Sequence, residues 1–317
     1  MLQSGMPISN FSHIFNRVVK QIALGFSGNL DNLLNYKNSW ALTDKYFGEV
    51  QTNLATTSIS DTNIYNIICK LAAEDTKFFN KFKSCEQYRE ILEHVSRDLG
   101  SSYFKELLKD EWIMKRLELI LQDGPGLPFK YTYRGIGRVS PTNLRYAKVV
   151  SDLHQVFGEL ENFRIVEIGV GYGGQCVGIS KVFKVASYVM YDLASTLKLA
   201  QRYISEMSPN MPIRLGDYTN LIAESFDLVI SNYAFSELQR ELQEEYFSKI
   251  ISVSSRGFIT YNDISPESFN YINFKEFAER IPGSEIFLEN PTTNEENRII
   301  LWGHDSHVAN ILYKKAN

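Results

Sequence analysis

FRIVEIGVGYGGQ, residues Phe163–Gln175, is the stretch that decides the fold. Within it Ile165-Val166-Glu167-Ile168 is a short apolar run holding one acid, and a glycine-rich segment follows at once. A run of this length bounded by glycines reads as a buried strand. A strand that ends in glycines and opens a helix makes a ligand-binding loop. Its backbone has to turn sharply and approach the ligand closely, and a Cβ would obstruct both.

Two ligands compete for that loop. Gly169, Gly171 and Gly174 satisfy the dinucleotide fingerprint G-x-G-x-x-G, with Asp192 about as far along as a ribose-binding acid requires. Glu167, two residues ahead of the first glycine, gives instead E-x-G-x-G-x-G, with Gly173 as the third glycine. A carboxylate there suits a cation, such as the amino and sulfonium groups of S-adenosylmethionine, and would repel a pyrophosphate. At these residues the chain resembles the class I S-adenosylmethionine-dependent methyltransferases.

Outward from the loop, the sequence on the carboxyl side alternates strand and helix. Strands are expected at 163–168, 186–191, 212–215, 226–231, 255–260, 284–288 and 297–303, and helices at 173–183, 194–206, 238–252 and 266–279. Such alternation implies a parallel sheet covered on both faces. The last two strands form a hairpin around Glu289–Arg298. The expected fold is α/β, a Rossmann-like seven-stranded sheet of the methyltransferase kind with an N-terminal helical domain.

On the amino side the pattern is helical from about Phe11 to Gln122. Stripes run through Phe11, Ile14, Phe15, Val18 and Val19, and through Ile64, Ile67, Ile68 and Leu71, the second with Ser60-Asp61 as its cap. Gly124-Pro125-Gly126-Leu127-Pro128 breaks the pattern and places a boundary between a helical domain, 1–125, and the α/β domain, 126–317. Ser140-Pro141 then starts a helix reaching about Phe157.

The 317 residues are 44% hydrophobic and 22% charged, with a net charge of −4. That is an ordinary globular composition with no bulk attraction for nucleic acid or a membrane surface. No window offers the roughly 20 apolar residues of a membrane span, and no amino-terminal signal pattern is present. Cys69, Cys85 and Cys176 are too few and scattered for a disulfide framework or a zinc site. The expectation is a cytoplasmic protein; a homo-oligomer is compatible with the sequence.

In an open α/β sheet ligands bind beyond the carboxyl ends of the strands, so each strand is read at its last residue. Strand one ends at Glu167 and the glycines. Strand two ends at Asp192-Leu193, where the acid can take both ribose hydroxyls or cap the next helix. Strand three ends at Asp217-Tyr218, placed for adenine or, again, as a cap. Strand four ends at Ser231 and runs into Asn232-Tyr-Ala-Phe-Ser236-Glu237-Leu238, beside the expected methyl position; Ser236 and Glu237 would equally serve a helix start. His304 follows the last strand and has the pKa range of a general base. His13, His94 and His154 read as surface or structural residues. No metal site is expected, with only a weak conjunction of Asn262, Asp263 and Glu295 to suggest an ion or a sugar hydroxyl.

The combination of a helical amino half, Ser140-Pro-Thr-Asn-Leu-Arg-Tyr146, VEIGVGYGG, VISNYAFSEL and NRIILWGH is similar to the sugar O-methyltransferases encoded among bacterial surface-polysaccharide genes. The resemblance covers about Arg138 to His304. It implies methyl transfer from S-adenosylmethionine to a hydroxyl of a sugar or sugar-linked small molecule. Glu237 and His304 are then candidates for the base. Arg134, Arg138 and Arg145 are candidates for the cofactor carboxylate or a sugar-linked phosphate, and Tyr146 for packing over the cofactor. The alternatives are an NAD-dependent oxidoreductase and a catalytically degenerate methyltransferase-like module that binds a partner.

Overall fold

The computed structural model describes residues 28–42, 58–262 and 264–316. The stripe beginning at Phe11, His13 and Asp263 lie outside the described residues. The amino-terminal part is helical: α1 over residues 28–38, then α2 Asn63–Glu74, α3 Thr76–Phe79, α4 Glu86–Ile91, α5 Arg97–Leu107, α6 Glu111–Met114 and α7 Leu117–Ile120. A two-stranded hairpin, β1 Tyr131–Tyr133 and β2 Gly137–Val139, leads into α8, Pro141–Phe157.

The α/β part follows as β3 Arg164–Ile168, α9 Gly174–Ser180, β4 Ser187–Tyr191, α10 Ala194–Met207, β5 Ile213–Leu215 and β6 Leu228–Asn232. After these come α11 Arg240–Tyr246, β7 Gly257–Tyr261, α12 Phe274–Glu279, β8 Glu285–Leu288, β9 Arg298–Trp302 and α13 Ser306–Leu312. The seven strands β3–β9 form one Rossmann-like sheet in the order β5-β4-β3-β6-β7-β9-β8. From β5 to β7 all pairings are parallel, and β9 runs antiparallel to both β7 and β8. The all-parallel dinucleotide sheet has no such inserted strand.

Alternation along each strand sorts side chains onto two faces. Ile165, Tyr188, Met190, Leu228, Ile230 and Phe258 join the core formed with α8, α9 and α10. Val166, Ile168, Val189, Val229, Ile259 and Ile300 join the core with α11 and α12. Both faces of the central strands are buried, which is why β3, β6 and β7 are near-continuous apolar runs.

The first core does not stop at the segment boundary. It runs from Leu42, Ile68, Phe82 and Leu107 into Leu144, Ile165 and Tyr188 without a break. Helix α2 lies along α10 and α5 along α8. Lys83 is buried in this join, its Nζ donating to Tyr203 Oη at 3.0 Å and lying 3.8 Å from the Tyr172 ring centre. Burial lowers the Lys83 ammonium to about 8.

The strands fall within about two residues of expectation. The helices differ more. The one expected at 266–279 is broken, with a 3-10 turn at Glu267–Phe269, Asn270 at φ 46 and α12 beginning only at Phe274. The one expected at 238–252 begins at Arg240 and continues as a π-helix, Phe247–Ile251. Thr62, rather than Ser60-Asp61, caps α2, its hydroxyl accepting from Tyr65 N–H. Ser140 makes no capping bond, and Pro141 alone marks the start of α8. The β1–β2 hairpin and α13 were not anticipated. No helix among the described residues is long and apolar enough to cross a membrane.

Candidate active site

The carboxyl ends of β3, β4 and β6 open into a cavity of about 670 Å3. Its floor is the glycine loop. Gly169 has φ 79 and Gly171 φ 52, conformations that L side chains disfavour. A Cβ on Gly169 would stand 1.9 Å from Ala234 Cβ, in the segment after β6. One on Gly171 would stand 2.8 Å from Leu92 Cδ1, so the α4–α5 loop is seated on the glycine loop from above.

Asp192 and Leu193 are on the wall beside the glycines. Asp192 Oδ2 accepts from Gly171 N–H at 3.0 Å and Oδ1 from Leu193 N–H at 2.7 Å. Burial lifts this carboxyl to about 6, against the opposing pull of those amides. Each oxygen keeps acceptor capacity for a ribose hydroxyl. Tyr218 is also on the wall.

Several expected site residues lie elsewhere. Glu167 is 2% exposed and does not reach the cavity. Ile168, next along β3, faces the cavity, and strand parity turns Glu167 to the opposite face, where its Oε2 accepts from Tyr188 Oη at 2.6 Å. Burial pushes its carboxyl up to about 8. The expectation that Glu167 meets the positive groups of the cofactor is therefore corrected: it sits behind the loop.

Gly173, φ 84, turns the chain into α9 against Ile204, also behind the loop. Tyr146 stands edge-on to Tyr172 at 5.9 Å and fills the space a Cβ on Gly174 would need, so it packs under the loop rather than over a cofactor. Ser231 is fully buried; its hydroxyl donates to Ile168 C=O at 2.8 Å and accepts from Phe235 N–H at 3.0 Å, tying two strand ends together off the cavity wall. Asp217 is exposed and off the wall, and accepts from the Thr219 hydroxyl and N–H at 2.7 and 2.9 Å. These bonds hold its carboxyl below the usual range and make it a cap.

His304 is corrected most sharply. Trp302 pairs with Gly257, the first residue of β7, so the antiparallel β9 delivers its carboxyl end to the edge of the sheet opposite the glycine loop. The imidazole is buried there, 3.4 Å from Glu285 and edge-on to Phe287, and burial lowers its pKa.

Glu237 is on the cavity wall. Asn262 Nδ2 donates to its Oε1 at 2.8 Å and Ser60 Oγ to its Oε2 at 3.0 Å, while burial raises its pKa. Ser236 and Glu237 do not start α11; they form a 3-10 turn locked by Ser236 and Asn262 at 2.7 Å. Near them Thr293, Asn294 and Asn297 of the β8–β9 loop line the wall. Tyr233, also there, holds φ 70, a strained value for a ring-bearing residue, and its hydroxyl pairs with Glu289.

Of the three arginines, Arg134 is exposed at the tip of β1–β2, and Arg138 is spent on Asp31 and Asn35 at 2.9 and 3.1 Å. Arg145 is on the wall, with the rings of Tyr146 and Tyr233 at 5.7 and 5.9 Å. It makes no hydrogen bond or ion pair with any described residue.

Sequence reasoning missed His94. It lies in the α4–α5 loop on the cavity wall, Nδ1 3.0 Å from Ile91 C=O. Its position depends on helices docking over the sheet, and no local pattern marks it. The group of Asn262, Asp263 and Glu295 does not assemble as one wall: Asn262 is there, Glu295 is not.

Residues 165–257 match the family model described as a methyltransferase domain. This stretch is a methyltransferase domain. Its cofactor is S-adenosylmethionine. The match contains the glycine loop, Asp192 and Glu237. The residues present fit that group: a cradle with no Cβ at Gly169 and Gly171, an acid at the end of β4 and, at Arg145, a cation with no hydrogen-bond or ion-pair partner among the described residues.

Among solved structures, the magnesium protoporphyrin IX methyltransferase of Synechocystis PCC 6803 with bound SAM is 14% identical, covering 65% of this chain and 96% of its own, at a TM-score of 0.40. An rRNA methylase from Streptococcus thermophilus is 14% identical, covering 45% and 87%, at 0.35. No protein of curated function matches the chain in sequence.

Proposed function

We propose that this chain transfers the methyl group of S-adenosylmethionine to a hydroxyl of a sugar or sugar-linked small molecule, in the synthesis of a bacterial surface polysaccharide. When bound, the cofactor supplies an electrophilic methyl on a sulfonium leaving group. Gly169 and Gly171 would admit it, Asp192 would take its ribose hydroxyls, and Arg145 its carboxylate in a charge-assisted, bidentate pair.

The observation that carries the acceptor assignment is the polar part of the cavity lining. Glu237, Asn262, Ser60, Thr293, Asn294 and Asn297 bring carboxylate, amide and hydroxyl groups to the cavity. Such a wall offers many donors and acceptors to a ligand with many hydroxyls. It offers no basic groove to a nucleic-acid backbone, since Arg145 is the sole lysine or arginine on the described wall. Glu237 would receive a hydrogen bond from an acceptor hydroxyl.

The test is calorimetry with S-adenosylhomocysteine, NAD run in parallel, followed by methyl transfer from labelled S-adenosylmethionine to UDP-glucose, GDP-mannose and dTDP-rhamnose. Binding of the first ligand and methylation of a sugar nucleotide are expected. NAD binding alone would overturn the cofactor assignment. Cofactor binding with no transfer to any sugar would overturn the acceptor assignment and favour the degenerate module.

A further inference from the structure

We propose that His94 is the general base of the reaction, taking the proton of the acceptor hydroxyl through Nε2. The inference rests on the methyl-transfer reading above and adds the residue that moves the proton.

Ile91 offers His94 only a carbonyl oxygen, 3.0 Å from Nδ1, so that nitrogen carries the hydrogen. In the neutral ring Nε2 is then a bare lone pair. No described residue partners Nε2, and His94 is exposed on the cavity wall. The ring is therefore held in one tautomer by a backbone group, with its basic nitrogen free, on a wall shared with Arg145 and the glycine loop. Glu90, Glu237 and the loop-bound Asp192 also line that cavity, and Glu237 already receives a hydrogen bond on each oxygen. Its carboxylate is fixed in place to hold a hydroxyl, while His94 presents a ring nitrogen whose lone pair no described residue uses.

The step balances. The hydroxyl oxygen forms a bond to the methyl carbon as the carbon–sulfur bond breaks, and that bond's electron pair stays on sulfur, which becomes a neutral thioether. The hydroxyl proton passes to Nε2, giving an imidazolium that returns it to water. Desolvation by the protein around the cavity, with the Arg145 charge second, holds the imidazole down at about 4, so it is neutral and unprotonated at pH 7. An anion on Arg145 cancels part of that depression, so the ring gains proton affinity when the site is filled.

Two measurements test this. His94→Gln and His94→Ala should bind S-adenosylhomocysteine within threefold of the unaltered protein. In single turnover on the sugar nucleotide methylated best, both should lose about 100-fold or more, the low end of general-base effects, with acceptor KM little changed. Imidazole should partly restore His94→Ala. Glu237→Gln should instead raise acceptor KM. Turnover of His94→Gln within threefold of the unaltered protein, with cofactor binding intact, overturns the proposal and leaves the methyltransferase reading standing. Independently of any acceptor, 15N NMR of the protein with S-adenosylhomocysteine at pH 7 should show a neutral ring protonated on Nδ1. A ring protonated on Nε2 removes the acceptor and overturns the proposal, even where no sugar is methylated.

Discussion

Gly169→Ala would test the contact that joins the two halves of the cavity floor. The new Cβ would stand 1.9 Å from Ala234 Cβ, about half the usual 3.5–4.0 Å carbon separation. Ala234 has no longer side chain to rotate aside, so backbone has to move. The backbone at φ 79 costs an L-residue about 1–2 kcal/mol by itself, and forcing atoms into a packed site adds about 1–3 kcal/mol. Gly283→Ala separates the two contributions, because Gly283 has φ 75 and its new methyl would meet nothing within 4 Å. Urea denaturation of both variants, read from midpoints at equal slope, should show Gly283→Ala losing about 1–2 kcal/mol. Gly169→Ala should lose at least about 1 kcal/mol more and bind S-adenosylhomocysteine more weakly. Equal losses in the two variants, with unchanged affinity, would refute the close approach of the glycine loop to the segment after β6.

Arg145→Gln should weaken S-adenosylhomocysteine by about 10- to 100-fold, the usual worth of a charge-assisted bond, yet leave 5′-methylthioadenosine, which has no carboxylate, unaffected in calorimetry; equal weakening of both would exclude a carboxylate role. Glu167→Gln should change how stability depends on pH. The folded protein keeps a proton on Glu167 up to about 8, whereas the unfolded chain releases it near 4.5, so this group's contribution falls as pH rises between those values and is fully lost above about 8. Gln keeps an oxygen for Tyr188 and does not titrate, so the variant should gain on the unaltered protein from pH 5 to pH 8.5 in denaturant midpoints, and a constant difference would count against the buried carboxyl. His304→Gln should leave methyl transfer within twofold of the unaltered protein, since the ring lies at the other edge of the sheet; a loss of 100-fold would restore it as a base.

The sheet was legible because strands buried on both faces must be apolar throughout, and Ile165, Val166 and Ile168 followed by glycine say so without ambiguity. The register and the two faces follow from parity, and parity would also have turned Glu167 away from the cavity had the face of Ile168 been known. The position of His304 was implicit in the hairpin: a strand antiparallel to its neighbours cannot end where they end. Asp217 and Ser236 show the limit of local reading, since one spacing serves a cap and a ligand equally, and only the surrounding backbone decides. Ser60 and Leu92 had no local signature because their neighbours in space are Glu237 and Gly171, brought together by long-range packing of α2 and α5 on α10 and α8, and the same packing carries His94 to the cavity.

The core that runs unbroken from Ile68 and Leu107 to Leu144 and Tyr188 constrains how this protein can diversify. A helical segment sharing its interior with the sheet cannot be exchanged like a cassette, because the recipient would have to match Tyr172, Tyr203 and the buried Lys83 at once. New acceptors are reached instead through three short stretches, 58–62, 90–96 and 293–297, each of which touches the cavity. Lineages of this architecture should therefore keep their interior nearly fixed while these three stretches drift, and their substrate histories should be written in a few loop positions rather than in gained or lost domains.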